Sequence, residues 1–179
     1  MEEKDFIQEL LNPKTQNLAF QQLLLQYQKP LYNHIRNIVL NHDDAHDVLQ
    51  NTFLKVFQHL KNFKGESKLF SWMYRIATNE AITFINLKAK KSGTTTEAVQ
   101  TKLVENLKAD SYFDGDAVQI KLQKAIHILP EKQQLVFKMK YFEELKYEDI
   151  SEILGTSVGA LKASYHHAVK KIELYMTTD

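Results

Sequence analysis

The chain has 179 residues, of which 44% are hydrophobic and 25% charged, and its formal net charge is +1. This composition supports one sizeable hydrophobic core or two small ones and argues against disorder as the overall state. The near-zero charge by itself indicates neither a nucleic-acid nor a membrane partner. The absence of cysteine excludes disulfides and thiolate metal sites, as is common in a reducing cytosol.

The spacing of apolar residues predicts an all-α protein. Apolar side chains recur mostly three or four residues apart, and the chain has only five Gly and three Pro. The first residues, MEEKDFIQELL, are acidic and lack the basic and apolar regions of a secretory signal. No apolar run approaches membrane-spanning length. We therefore expect a cytoplasmic protein without membrane insertion.

Three helices are predicted in the first half of the chain. The first covers residues 18–40, where Pro30 marks a kink or a new helix start. The second begins near Asn41 or Asp43, either of which can cap it. Its apolar face includes Phe53, and the opposite face is acidic and polar, with Asp44, Asp47, Gln50 and Asn51. The third covers residues 69–90 and follows a loop, NFKGES, in which Ser67 is the expected N-cap.

Residues 61–91 form a basic region that the neutral total conceals. This region contains two acidic residues, Glu66 and Glu80, and seven basic ones, which are Lys61, Lys64, Lys68, Arg75, Lys88, Lys90 and Lys91. The lysines lie beside aromatic residues, among them Phe63, Phe70, Trp72 and Tyr74. Phosphates are attracted by the charges, and unpaired bases can stack on the rings. Phe70 fits the core better, whereas Trp72 and Asn79 lie off the apolar stripe and favour a binding role.

A loss of periodicity divides the chain. Residues 92–115 begin with a Ser/Gly/Thr cluster, end in Asp-Gly, and predict a flexible linker with at most one short helical segment. We therefore expect two small helical domains, at residues 1–91 and 116–179. In the second, one helix ends near Leu129 and Pro130 can begin the next.

The C-terminal stretch LKYEDISEILGTSVGALKASYHHAVKKI predicts a helix-turn-helix. Gly155 can adopt the positive φ that ends one helix, and Ser157 can cap the next. The second helix exposes a polar-to-basic face, as a helix that enters the major groove requires. A simple helical hairpin would share the turn and the stripes, so the basic face is what favours DNA binding.

Two motif blocks in this order resemble the extracytoplasmic-function (ECF) sigma factors of the sigma-70 superfamily. They are DDAHDVLQNTFLKVFQHLKNFKGESKLFSWMYRIATNEAITFINLKAKK and LPEKQQLVFKMKYFEELKYEDISEILGTSVGALKASYHHAVKKI. The resemblance implies a transcription initiation factor without catalytic activity or cofactor. It implies an N-terminal region 2 that binds core RNA polymerase and opens the −10 promoter element. It also implies a C-terminal region 4 that reads the −35 element.

The resemblance also assigns individual residues. Those implied to meet the polymerase clamp are Asp47, Gln50 and Phe53. Those implied to meet the −10 element are Phe63, Lys64, Gly65, Glu66, Ser67, Trp72, Arg75 and Asn79. Those implied to meet the −35 element are Lys140, Ser157, Lys162, Ala163, His166 and His167. The implied partners are the clamp helices and flap of bacterial RNA polymerase, promoter DNA and an anti-sigma factor.

The recognition helix departs from the family pattern. The family commonly reads like VGTVKSRLHRARKKL there, whereas this chain has VGALKASYHHAVKKI, which lacks two or three arginines that bind phosphates or bases.

Two alternatives remain at the level of sequence. A stand-alone helix-turn-helix regulator is the nearest, although it would need neither the Trp72 region nor the acidic second helix. A metal-dependent helical enzyme is the other, because His42 and His46 lie four residues apart with Asp43, Asp47 and His34 nearby in the sequence. No second ligand pair of similar quality is present, and we expect no metal.

Overall fold

The computed structural model describes residues 1–178, and over that range the chain is all-helical, as predicted. Nine α-helices lie in this part of the chain. They are α1 (Glu3–Leu11), α2 (Gln16–Val39), α3 (His42–His59), α4 (Leu69–Lys91), α5 (Thr96–Asn106), α6 (Ala117–His127), α7 (Glu131–Tyr141), α8 (Tyr147–Leu154) and α9 (Val158–Thr177). Short 3-10 turns follow α3 at Leu60–Asn62 and α5 at Leu107–Ala109.

Helices α2, α3 and α4 pack together around the predicted apolar stripes. Ile35 of α2, Val48 of α3 and Ala81 of α4 are almost fully buried in one core cluster. Helix α2 continues through Pro30, so this proline does not start a new helix. Pro30 is exposed, and water can satisfy the carbonyl that loses its helical donor.

Side chains cap some helices where the sequence predicts it. Asn41 caps α3, with its side-chain oxygen accepting a hydrogen bond from the Asp44 N–H at 2.9 Å. At α4 the helix begins at Leu69, as predicted, but the expected cap was wrong, because Lys68 is the N-cap residue and the Ser67 side chain does not cap the helix. The Leu69 N–H instead donates to the carboxylate of Glu3, on α1, at 2.8 Å. A charge from a distant part of the sequence therefore replaces the local cap.

The segment expected to be a linker contains α5, which is packed rather than free. Val99, Leu103, Val104 and Leu107 are all buried. The segment after α5 is also held, because Arg36 forms an ion pair with Asp110 at 2.5 Å. Tyr112 stacks on the His42 ring with centroids 3.6 Å apart. Residues 92–115 are thus largely ordered against the N-terminal helices.

The C-terminal helices share a core with the N-terminal ones. A separate small cluster, which includes Leu122, Phe137 and Ile172, holds α6, α7 and α9 together. Ile150 and Ile153 of α8, however, are buried in the same cluster as Ile35 and Ala81. The two predicted domains are therefore in direct apolar contact. No described helix has both the length and the apolar character needed to cross a bilayer.

Candidate functional site

The C-terminal helix-turn-helix has the predicted geometry. Gly155 ends α8 in the left-handed region with φ 66°. Ser157 caps α9, and its side chain accepts a hydrogen bond from the Ala160 N–H at 3.2 Å. Leu161 is buried, as expected for the residue that fixes α9 against α8. The residues assigned to duplex DNA on this element are all exposed: Ser157, Lys162, Ala163, His166 and His167.

Lys140 has a structural contact that the sequence did not reveal. Its ammonium group donates a hydrogen bond to the Leu145 carbonyl at 3.0 Å and lies 4.5 Å from the centroid of the Tyr147 ring. These contacts hold the turn between α7 and α8. The ammonium group of Lys140, which was assigned to the −35 element, is therefore engaged in contacts within the protein. The ammonium group of Lys162 lies 5.8 Å from the centroid of the same Tyr147 ring, and the Lys162 side chain is exposed.

The candidate −10 surface consists of the loop before α4 and one face of α4. Arg75 and Asn79 are exposed, and Trp72 is half-buried. These three positions lie three and four residues apart, on one side of the helix. In the preceding loop Lys64, Gly65 and Glu66 are exposed and Ser67 is half-buried. Gly65 has φ 71°, which a loop turning at this point requires.

Phe63 does not lie on that surface. Only 8% of it is exposed, and it packs in the core formed by α1, α2 and the start of α4. Its ring centroid is 5.0 Å from that of Trp72. Of the two aromatic residues assigned to the −10 element, Phe63 is therefore buried and supports the half-buried Trp72. Trp72 alone of this pair can offer a face to a base.

Helix α3 exposes the predicted acidic and polar face. Asp47 and Gln50 are exposed, whereas Phe53 is only 8% exposed and belongs to the core. The side chains that continue the exposed face are Leu54 and Phe57, with 60% and 41% of their surfaces exposed. Sequence reasoning missed both, although their spacing from Asp47 by seven and ten residues follows the helical repeat. The face therefore combines a carboxylate with apolar side chains, as protein interfaces do.

The histidines considered as metal ligands have other contacts. His42 Nδ1 is 2.6 Å from the Tyr32 hydroxyl. His34 is buried and bonded at both ring nitrogens, to Glu143 and to Thr78. Within residues 1–178, no group of three or more His, Cys, Asp or Glu side chains is arranged so that it could hold a metal ion.

A buried lysine lies between the two predicted domains. Lys138 of α7 is 7% exposed and lines a small cavity with Ile38, Ile82 and Ile85 of the N-terminal helices. Burial lowers the pKa of Lys138 to about 8, partly offset by the negative charge of Glu143. An ammonium group in such surroundings opposes close packing of the domains while it remains charged.

Comparison with protein families identifies both halves of the chain. Residues 23–91 match the model of sigma-70 region 2, and residues 119–172 match that of sigma-70 region 4. The chain belongs to the sigma-70 family of RNA polymerase sigma factors. Within that family it is an ECF sigma factor, as its relatives show.

The alignments with two of those relatives cover most of this chain and most of each relative. The ECF RNA polymerase sigma factor SigW of Bacillus subtilis is 30% identical over 156 residues, which is 83% of this chain and 83% of the relative. The ECF RNA polymerase sigma-E factor of Haemophilus influenzae is 27% identical over 165 residues, covering 87% of this chain and 86% of the relative. The likeness therefore extends across both regions and the segment between them.

Solved structures show the same fold. CnrH, in complex with the cytosolic domain of CnrY, superimposes with a TM-score of 0.71 at 17% identity, over 99% of this chain and 98% of CnrH. The sigma factor RpoE of Bartonella quintana, in complex with the anti-sigma factor NepR, gives a TM-score of 0.65 at 20% identity, over 89% of this chain and 98% of RpoE.

Proposed function

We propose that this ECF sigma factor binds bacterial core RNA polymerase, reads the −35 and −10 elements of its promoters, and helps to open the −10 region. The observation that supports this most directly is that one chain carries two different exposed surfaces whose side chains are suited to DNA. One is the exposed basic face of α9 in region 4, and the other is the Trp72, Arg75 and Asn79 face of α4 in region 2. A stand-alone helix-turn-helix regulator would need only the first.

Each surface suits a different form of DNA. A helix with Lys162 and His166 on an exposed polar face fits a duplex major groove, where polar side chains on a helix reach base edges. A half-buried indole beside an exposed arginine and asparagine fits a single strand, whose bases can stack and be hydrogen-bonded. Region 4 is therefore proposed to hold the closed duplex and region 2 the melted strand.

The α3 face is the proposed contact with the clamp helices of polymerase. Asp47 and Gln50 supply the polar part, and Leu54 and Phe57 the apolar part, of this contact. We further propose that region 4 contacts the polymerase flap and that an anti-sigma factor binds the chain. The second point is supported by the RpoE relative, whose structure was solved with an anti-sigma factor. The proposed division is residues 1–91 for region 2, 92–115 for the connection and 116–179 for region 4.

The protein is proposed to act in the cytoplasm and to catalyse no reaction of its own, since polymerase performs the chemistry. The test is transcription in vitro with core polymerase and genomic fragments, followed by mapping of start sites. We expect transcripts that begin at defined sites and that depend on this chain. DNA binding without core polymerase, together with no stimulated transcript, would instead support the stand-alone regulator.

The polymerase contact can be tested separately. Asp47→Lys is expected to weaken core binding by about tenfold, because it reverses a charge on the proposed interface. Glu105→Lys, which reverses an exposed carboxylate on α5, is the matched control. Equal affinities of the two variants, with folding intact by circular dichroism, would exclude the α3 face as the contact.

A further inference from the structure

Helix α1 lies against both ends of the candidate −10 loop, residues 63–68. At the start of the loop, α1 contacts the 3-10 turn Leu60–Asn62. At the end of the loop, the Leu69 N–H donates a hydrogen bond to the Glu3 carboxylate on α1 at 2.8 Å. The loop itself turns at Gly65 and has no regular secondary structure. Its two ends are therefore held at a fixed distance by α1.

The hydrogen bond to Glu3 takes the place of a local cap on α4. The first N–H groups of a helix have no partner within the helix, and together they form its positive end. The side chain of the N-cap residue, Lys68, accepts no hydrogen bond from them. A carboxylate suits this position because it is an anionic acceptor. The first turn of α4, which carries Trp72, is therefore oriented by a residue 66 positions earlier in the chain than Leu69.

Apolar side chains of α1 support the Trp72 ring as well. Leu10 is fully buried in the core cluster that contains Phe63, and Phe6 packs against that cluster. Trp72 packs against the same cluster, with its ring centroid 5.0 Å from that of Phe63. The indole therefore rests on a core to which α1 contributes.

Helix α1 lies outside both family matches. The match to region 2 begins at residue 23, and α1 ends at Leu11. A helix of nine residues is too short to be stable alone in water, so α1 depends on its packing. Its helical structure and its contacts with the candidate −10 loop should therefore form together and be lost together.

We propose that Glu3 is a positioning residue for the −10 surface, through which α1 holds the loop and Trp72 ready for the melted strand. The inference rests on the proposed function, because it concerns the strand-binding surface defined there. Ordering a loop and a side chain during binding costs free energy, and a surface that is already ordered avoids this cost. Glu3 acts through the start of α4 and does not itself touch the strand. Loss of its carboxylate should weaken capture of the strand and leave duplex recognition by region 4 unchanged.

Transcription with core polymerase tests this role. Glu3→Ala removes the acceptor, whereas Glu3→Gln keeps a side-chain oxygen that can accept from the Leu69 N–H. Asp5→Ala is the matched control, because Asp5 is an exposed carboxylate in the same turn of α1. On duplex promoter DNA we expect Glu3→Ala to lower initiation by about three- to tenfold, as for the loss of a typical helix cap. Glu3→Gln should retain most of the activity, and Asp5→Ala should retain all of it.

A premelted −10 template separates positioning from general destabilisation. It should restore initiation by Glu3→Ala, because opening then no longer depends on how strongly the strand is captured. A variant that was only less stable would lose activity on both templates alike. The comparison is made at a temperature at which circular dichroism shows every variant to be folded.

The state of the indole is measured in the free full chain, without DNA. Trp72 is the only tryptophan in the sequence, so tryptophan fluorescence reports on this position alone. We expect Glu3→Ala to increase the quenching of this fluorescence by acrylamide, because a less firmly held ring is more accessible to the quencher. Hydrogen exchange at the Leu69 amide should become faster in the same variant. Asp5→Ala should change neither measurement.

Four results would overturn the proposal. They are equal initiation by Glu3→Ala and Asp5→Ala on duplex DNA, equal impairment of Glu3→Ala on both templates, impairment of Glu3→Gln as large as that of Glu3→Ala, or unchanged quenching of Trp72 in Glu3→Ala. Each of them leaves the proposed function intact as long as the unmodified chain initiates transcription at defined sites. Absence of transcription by the unmodified chain on both templates would instead contradict the proposed function, and quenching and hydrogen exchange would still test the contact between Glu3 and α4.

Discussion

His34 on α2 and Glu143 after α7 connect the two regions through a buried hydrogen-bond contact. His34 Nδ1 lies 2.9 Å from both carboxylate oxygens of Glu143, and the His34 side chain is 1% exposed. Its Nε2 lies 2.7 Å from the hydroxyl of Thr78 on α4. Three segments that are far apart in the sequence therefore meet at a single imidazole ring.

Loss of that carboxylate should destabilise the folded chain. Glu143→Ala leaves a buried ring nitrogen without its partner, so we expect the free energy of unfolding to fall by about 1–3 kcal/mol. Glu144→Ala is the control, because Glu144 is exposed. Glu144 has φ 54°, and since glutamate and alanine both have a β carbon, the exchange does not change the backbone strain there. Chemical denaturation measures both. Equal stabilities would show that the His34 contact contributes nothing.

Two glycine substitutions in the helix-turn-helix should change the free energy of unfolding in opposite directions. Gly155 has φ 66° and would force a β carbon into the left-handed region, so Gly155→Ala should cost about 1–2 kcal/mol. Gly159 lies inside α9 with open space around the position of a β carbon. Gly159→Ala should therefore stabilise the chain by about 0.5–1 kcal/mol. Thermal unfolding of the two variants should shift in opposite directions, and a parallel shift would contradict the assigned turn.

The buried amine of Lys138 predicts a dependence of stability on pH. Burial lowers its pKa from 10.5 to about 8, so the unfolded chain binds more protons between these values. Its contribution to stability therefore rises with pH across that window, and its full cost is present below it. Lys138→Met should raise the free energy of unfolding at pH 7 by on the order of 3 kcal/mol.

The increase in the free energy of unfolding caused by Lys138→Met should become smaller as the pH rises from 8 to 10. Lys132→Met is the control, because Lys132 is an exposed residue of the same helix. Its effect should be small and should not change over the same range. A gain for Lys138→Met that stays constant up to pH 10 would show that the amine is not buried in a charged form.

The two proposed DNA surfaces should affect different steps of initiation. Lys162→Ala should weaken binding to duplex promoter DNA and lower the salt slope by about one unit. Asn79→Ala should spare that step and impair melting. Asn79 is exposed, so its loss does not disturb the core. Trp72→Ala should behave similarly and cost about 1–3 kcal/mol of strand binding.

A premelted −10 template separates these cases. It should restore transcription by Asn79→Ala and Trp72→Ala but not by Lys162→Ala. Circular dichroism is needed for Trp72→Ala, since the indole also packs on Phe63. Equal rescue of Lys162→Ala and Asn79→Ala would contradict the division of roles.

Limited proteolysis tests the order of the connecting segment. We expect cleavage at the exposed residues on either side of α5, near Gly93 and near Asp114. Cleavage within α5 should be slow, because four of its segment's side chains are buried. Mass spectrometry of the first fragments identifies the sites. Early cuts between Val99 and Leu103 would show that the segment is the flexible linker expected from sequence.

The elements that the sequence predicted well are those fixed by neighbouring residues. The Gly155 turn, the Ser157 cap and the Asn41 cap depend on local backbone geometry and on side chains a few residues away. These features depend on residues that are close together in the sequence, so periodicity and residue type are sufficient to predict them.

What the sequence did not reveal depends on contacts between distant segments. Phe63 follows the 3-10 turn Leu60–Asn62, where helical periodicity no longer indicates which side is inside. Lys140 is engaged by a turn that only the folded chain forms. The carboxylate of Glu3 takes the place of the expected Ser67 cap, over a separation of more than 60 residues.

The contact of Tyr112 with His42, described with α5 above, sets a length scale. Only residues 113–116 separate Tyr112 from the start of α6, and a fully extended chain spans about 17 Å over the five steps between them. While α5 stays packed on the N-terminal helices, this short connection limits the distance between region 4 and region 2. The chain can bind two promoter elements that are further apart only if α5 also detaches from those helices. The stacking of Tyr112 on His42 therefore sets the greatest spacing between promoter elements that the chain can bridge without detaching α5.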